Sequence, residues 1–282
     1  MTPPLIIANW KMNKTVTEAV DALDTLRART DLLQAIDVVV APSATALDRA
    51  AQIVAGSRIA LAAQNCHWEA AGAYTGEVSV PQLADVGCVY GLVGHSERRQ
   101  AFGETNDQVR RKTTALLAAG LTPILCVGET FPERRAGKTE HVVAEQVSVA
   151  LQGVSGSQVA RLVIAYEPVW AIGTGKTATP VEAASVHRFL RRLITHDHGE
   201  HAAASVRILY GGSVSPDTVE GLLAEPDING ALVGGASLNV QTLLAILERA
   251  AGAQERGAGP GQSPRADPSL SGITSTSRRS TV

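Results

Sequence analysis

Glu167 closes an apolar run and opens a loop rich in proline and glycine: Tyr166-Glu167-Pro168-Val169-Trp170-Ala171-Ile172-Gly173-Thr174-Gly175-Lys176. The run before it, 162–166, is short, continuous and mostly apolar, which reads as a buried strand. A carboxylate fixed at a strand end beside a loop able to close suits proton transfer in a site that excludes water. His95 follows a second apolar run, within Gly94-His95-Ser96-Glu97-Arg98-Arg99. A lone histidine is more often a satisfied core or surface group, so the setting carries this reading. At a helix N-terminus partial positive charge lowers a histidine pKa, and the neutral ring can donate a hydrogen bond to a carbonyl. Asn9-Trp10-Lys11 ends a third run. Lys11 offers countercharge to a bound anion; the plainer alternative is a solvated surface lysine. Glu97 is a second acid, read here as the group that pairs with Lys11 and orients the site.

Two more run ends are glycine pairs, Gly211-Gly212-Ser213 and Gly234-Gly235. Glycines let backbone N–H groups approach an anion, and a short helix after the last strand can aim its dipole at it. Tight turns alone would also explain glycine pairs. Two of them, one beside a serine, at two strand ends favour phosphate. Gly173-Thr174-Gly175-Lys176-Thr177 imitates a nucleotide loop, but the position five residues before the second glycine is Trp170, so nucleotide binding is rejected. His196, His198 and His201 cluster in what reads as a polar connection after a helix; a solvated loop explains them better than a metal site. Cys126 falls within a strand with no basic neighbour in sequence and reads as packing rather than nucleophile.

These groups need a frame that brings strand ends together. Eight short apolar runs, 5–9, 37–41, 59–63, 89–93, 122–127, 162–166, 206–210 and 230–233, alternate with Ala- and Leu-rich amphipathic stretches. Helix punctuation supports the alternation: Thr105 and Gln108 form a capping box, and Gly120 ends that helix. Thr179-Pro180 and Ser215-Pro216 each read as an N-cap followed by proline in the first turn. Eight strand–helix units in about 250 residues predict an α/β fold, a (β/α)8 barrel whose functional groups gather at the C-terminal strand ends. A doubly wound sheet would need fewer strands or a second domain, and no linker separates one. The barrel is expected over residues 1–251. From 252 to 282 the composition shifts to Gly, Pro, Ser, Arg and Thr, which predicts a disordered tail.

Composition narrows the partners. A net charge of −2 gives no reason to expect nucleic acid. Three widely spaced cysteines show neither a disulfide framework nor zinc spacing and suit a reducing cytoplasm. The chain lacks a basic, apolar leader at its start and has no run of membrane-spanning length.

With the motifs assembled, the chain resembles the triosephosphate isomerases from about Leu5 to Ala250. Asn9-Trp10-Lys11-Met12-Asn13, Gly94 to Arg99, Tyr166 to Gly175 and Tyr210-Gly211-Gly212-Ser213-Val214 stand in the family's order. Each is weak alone; four in order are specific. The resemblance implies that a triose phosphate is isomerised without a cofactor or metal. It implies that Glu167 removes the proton next to the carbonyl, that His95 polarises that carbonyl, and that Lys11 and Asn9 hold the developing anion. Gly173, Ser213, Gly234 and Gly235 would contact the phosphate. Pro168 to Lys176 would form the lid, with Ile172 and Leu232 pressing on Glu167 to exclude water. The stretch 64–77 resembles a dimer loop, with Thr75 reaching the partner's site and Glu77 pairing with Arg98 across a homodimer interface. Cys66 and His67 make that loop slightly unusual. Two other functions stay open at this stage. One is a phosphate-binding lyase using Lys11 in a Schiff base; the other is a barrel kept only for binding.

Overall fold

The computed structural model describes residues 2–171 and 178–257. Eight parallel strands close in sequence order: β1 Leu5–Asn9, β2 Asp37–Ala41, β3 Ala60–Ala63, β4 Tyr90–Val93, β5 Thr122–Val127, β6 Val163–Tyr166, β7 Arg207–Tyr210 and β8 Gly230–Val233. The predicted (β/α)8 barrel is the observed fold. β1 seals the ring by pairing Leu5 with both Asp37 and Gly230. At that seam a Cβ on residue 230 would fall 1.9 Å from the Leu5 carbonyl oxygen, so only glycine lets the barrel close.

The strands read as unbroken apolar runs because both faces are buried. Alternate residues (Leu5, Ile7, Val39, Leu92, Ile124, Leu209 and Leu232 among them) fill the barrel interior. The residues between them, such as Ile6, Ala8, Val38, Val40 and Ile208, pack outward against the helices.

Four strands start one residue later than their apolar runs. In two of these the first residue still completes the preceding helix: Leu162 N–H donates to Val159 O and Val206 N–H to Ala202 O. The capping box at Thr105 and the N-cap at Thr179 form as predicted, each worth about 1 kcal/mol, and Glu182 completes a second box with Thr179. Gly120 takes φ +79° just past the first of these helices. Ser215-Pro216 does not open a helix. Val219 N–H bonds back to Ser215 O across a turn, and the helix is Val219–Leu223 with Thr218 at its N-cap. Nor do the clustered histidines lie in a connection. His196 and His198 belong to the last turn of the helix Pro180–His198, and His201 to the helix Glu200–Ser205. His196 pairs with Asp197 at 2.6 Å. The final helix, Val240–Gly257, runs past the composition change at Ala251. Residues 258–282, the rest of the predicted tail, lie outside the described residues.

Candidate active site

The strand order brings the singled-out residues to one end of the barrel. Asn9 is the last residue of β1, His95 lies just past β4, Glu167 follows β6, and the two glycine pairs follow β7 and β8. Together with Lys11, Ser213, Val214, Leu232 and Ala236 they line a cavity of about 320 Å³.

Lys11 sits in a left-handed backbone conformation, φ +52°, uncommon for a side-chain-bearing residue and costly unless held. Asn9 Oδ1 holds it from one side by accepting the Lys11 N–H at 3.0 Å. Gln64 holds it from the other, donating through Nε2 to the carbonyls of Lys11 and Ala41, both at 2.8 Å. The Lys11 ammonium reaches Glu97 Oε1 at 2.6 Å, the pairing read from sequence. Lys11 also borders the glycine loop after β8, since a Cβ on Gly234 would come within 3.0 Å of its Cε.

His95 is the N-cap of the short helix Ser96–Ala101, and its Nδ1 accepts the Glu97 N–H at 3.3 Å. An accepting Nδ1 leaves the proton on Nε2, the tautomer of a neutral imidazole. Nε2 lies 3.0 Å from Glu167 Oε1. The His95 pKa moves opposite to the direction a helix N-terminus predicts. Burial does lower the His95 pKa, but the charge and hydrogen bond of Glu167, with Glu97 adding, more than offset it and hold it above the ordinary value. The helix end is not the deciding influence while the carboxylate rests on the ring.

Glu167 is 2% exposed. Its N–H donates to Val127 O at 2.7 Å, and its second carboxylate oxygen accepts the Ser96 N–H at 2.9 Å. Burial raises its pKa, yet His95 and the Ser96 N–H prevail, so the carboxyl lies below its usual range. Two glycines make room for it. A Cβ on Gly128 would fall 1.7 Å from Glu167 O, and one on Gly211 2.8 Å from Glu167 Cγ.

The glycine-pair end of the cavity is mostly backbone. Gly212 lies against Tyr210, whose hydroxyl oxygen would be 2.2 Å from an added Cβ. Gly235–Ser237 forms a single 3-10 turn after β8. Ser213 lines the cavity beside Gly212.

Pro168, Val169, Trp170 and Ala171 form the start of the expected lid, with Val169–Ala171 in a 3-10 turn. Trp170 Nε1 donates to Glu129 Oε1 at 2.9 Å, and the Tyr166 hydroxyl donates to the same carboxylate at 3.1 Å. Arg134 stacks 4.1 Å over the Trp170 ring. Ile172, Gly173, Thr174, Gly175 and Lys176 lie outside the described residues.

Glu129, Gln64 and Arg134 were not singled out from sequence. Glu129 had a usable signal: it is an acid two residues past β5, at the same barrel end as Glu167. Gln64 had none, because its role lies in two backbone carbonyls from other strand ends. Cys126 is wholly buried in β5 and its thiol pKa is pushed well up by burial, which fits packing.

Thr75 and Glu77 lie on an exposed loop. A cavity of about 490 Å³ lined by Glu77, Arg98, Met12 and Phe102 also touches Asn9, Lys11 and His95. Met12 is 96% and Phe102 71% exposed beside it. Arg98 donates to Glu104 within the chain at 3.3 Å.

A parallel eight-stranded barrel that sets a buried carboxylate and imidazole facing glycine-rich loops defines a class: (β/α)8-barrel enzymes of acid–base chemistry on small phosphorylated substrates. Comparison with known proteins narrows it. The triosephosphate isomerase family profile matches residues 4–250. The triosephosphate isomerase of Pelobacter propionicus is 53% identical over 238 residues, covering 84% of this chain and 95% of its own. That of Chloroflexus aurantiacus is 52% identical over 247 residues, covering 88% and 99%. That of Moorella thermoacetica is 51% identical over 247 residues, covering 88% and 98%. The chain belongs to the triosephosphate isomerase family.

Proposed function

We propose that Glu167, His95, Lys11 and Asn9 carry the family's reaction in this chain, the interconversion of dihydroxyacetone phosphate and D-glyceraldehyde 3-phosphate used in glycolysis and gluconeogenesis. The observation that carries the assignment is the 3.0 Å contact of Glu167 with His95 inside a cavity that also holds Lys11 and the glycine loops.

The phosphate sits against the backbone of Gly211 to Ser213 and of Gly234 and Gly235, which places the three-carbon end among the side chains. Glu167 takes a proton from the hydroxymethyl carbon of dihydroxyacetone phosphate, and the electron pair moves to the carbonyl oxygen, giving an enediolate. His95, donating from Nε2, stabilises that oxygen, and the hydroxyl proton passes between the two oxygens. Glu167 returns its proton to the adjacent carbon, and the aldehyde results. The ammonium of Lys11 and the Asn9 amide lie where the negative charge develops. Glu97 keeps Lys11 oriented. Leu232 excludes water from the carboxylate, strengthening it as a base once substrate displaces it from His95.

The Schiff-base alternative fits less well. A lysine nucleophile must be free to reach the carbonyl carbon, and the Lys11 side chain is tied to Glu97 at 2.6 Å. An assay coupled to glycerol-3-phosphate dehydrogenase tests the function: rapid conversion of glyceraldehyde 3-phosphate supports it, and none refutes it. Borohydride trapping of substrate on Lys11 would favour the lyase.

We also propose a homodimer. The exposed Met12 and Phe102 flank the cavity that opens onto the active site, and such apolar exposure beside a groove marks an interaction surface. The exposed loop bearing Thr75 and Glu77 fills it from a second copy, with Glu77 meeting Arg98. Sedimentation at about twice the chain's 29.4 kDa supports this, and an active monomer contradicts it. The three cysteines are unpaired and buried, which suits the cytoplasm. No helix among the described residues is long and apolar enough to cross a membrane. The proposed catalytic unit is the barrel, almost all of which lies within the family match.

A further inference from the structure

The Arg99 guanidinium turns back onto the end of β4 and spends its donors on neutral oxygens. Nε–H donates to the Gly94 carbonyl at 2.7 Å, Nη1 to the Asn106 side chain at 2.6 Å and Nη2 to the Cys126 carbonyl at 3.4 Å. Burial lowers its pKa, but an arginine keeps its charge.

Two of those oxygens belong to the backbone that seats the reacting pair. Gly94 leads directly into His95. Gly94 is held through both of its flanking peptides, since its N–H donates to Glu104 Oε2 at 3.0 Å while its carbonyl accepts from Arg99. Gly94 adopts φ +72°, and a Cβ there would lie 2.7 Å from Arg99 Nη2, so the close approach of guanidinium and backbone depends on glycine. Cys126 belongs to β5. The next residue, Val127, accepts the Glu167 N–H, and Gly128 packs against the Glu167 carbonyl. Arg99 and Glu167 also line one cavity of about 230 Å³ behind the catalytic pocket.

We propose that Arg99 is a positioning residue for the isomerisation. Its fork ties the backbone that carries His95 to the strand end that seats Glu167, and so sets their separation. The proposal rests on the roles given to His95 and Glu167 above. A planar, multidentate cation is needed, because one point charge cannot hold three oxygens on three elements.

The test is steady-state kinetics on both triose phosphates for the parent, Arg99→Lys and Arg99→Ala. Folding is checked by circular dichroism, and the His95 imidazole by 15N NMR. Since an ångström of misplacement costs about 100-fold, Arg99→Ala is expected to lose about that much in kcat with KM within about threefold. Arg99→Lys should lose less. Millimolar guanidinium, but not urea, should restore part of the lost kcat to Arg99→Ala, and the 15N shifts of His95 should move. Parental kcat in either folded variant overturns the proposal. So does a rise in KM with kcat kept, or a loss that tracks the unfolded fraction and ignores guanidinium. If Arg99→Ala does not fold, Arg99→Lys decides by the same split. A parent without turnover sinks the isomerase reading instead. The NMR then still decides on Arg99, and unchanged His95 shifts in the variants overturn it.

Discussion

Glu167 Oε1 and His95 Nε2 stand 3.0 Å apart, so base and electrophile touch each other across the site. Each favours the charged form of the other: the carboxyl pKa falls and the imidazole pKa rises. Substrate must break this contact, and the carboxylate then loses the partner that kept it weakly basic.

The acid limb of kcat/KM reports the free protein, where the contact is intact. A lowered carboxyl pKa means that the active, ionised form is present above the ordinary glutamate value and is lost only as pH falls below it. The substrate's own second ionisation near pH 6 must be divided out first. The corrected limb is expected below about pH 4.3, the unperturbed value. A corrected limb at or above about 6.5 would report protonation of His95, whose pKa the same contact raises, and not of Glu167.

Lys11→Met removes the ammonium that lies between Glu97 and the glycine loop. A hydrogen bond to a charged group contributes about 1.5–3 kcal/mol, so KM should rise by about 10- to 100-fold. Raising the salt concentration should weaken the parent's substrate binding more than the variant's. An unchanged KM would return Lys11 to the role of a surface lysine.

Gly211→Ala places a methyl group 2.8 Å from Glu167 Cγ and 3.1 Å from the Tyr166 carbonyl oxygen. The carboxylate must shift, and kcat is expected to fall by about tenfold or more while the barrel stays folded. Thermal melting checks the fold, and kinetics the shift. Parental turnover would mean that Glu167 has slack in its seat.

His187 sets an acid limit on stability. It is wholly buried, its Nδ1–H donates to the Asp227 carbonyl at 3.1 Å, and its ring meets Tyr166 edge-on. Burial holds its pKa down to about 4, with Arg191 adding and the Asp227 contact opposing. Below the unfolded value of about 6.5 the unfolded chain binds the proton and the folded one does not, so stability falls with pH until about 4 and then levels off. The loss through that window is on the order of 3 kcal/mol. Urea unfolding across pH 4–7 should show this slope, and His187→Gln should flatten it. The same slope in the variant would assign it elsewhere.

Much of this was legible in the chain because buried parallel strands print themselves as apolar runs, and the residues at or just past the end of each run fall at the functional end. Asn9, His95, Glu167 and both glycine pairs follow that rule. What stayed hidden depends on distance across the barrel. Gln64 works by reaching Lys11 and Ala41, which has no local pattern, and Glu129, though marked by its place past β5, works by joining Tyr166 to Trp170. Ser215-Pro216 looked like a helix start because Ser-Pro suits the first turn of a helix or a free-standing turn equally well. His95 shows the same gap: a helix N-terminus predicts one direction for its pKa, and a carboxylate from another strand reverses it.

The most direct test of the account is turnover of Glu167→Asp. Shortening the side chain by one methylene keeps the carboxylate and draws it back by about an ångström from the substrate carbon. The account predicts a KM within a few fold of the parent and a kcat lower by about 100-fold or more. A kcat close to the parent's would contradict Glu167 as the base.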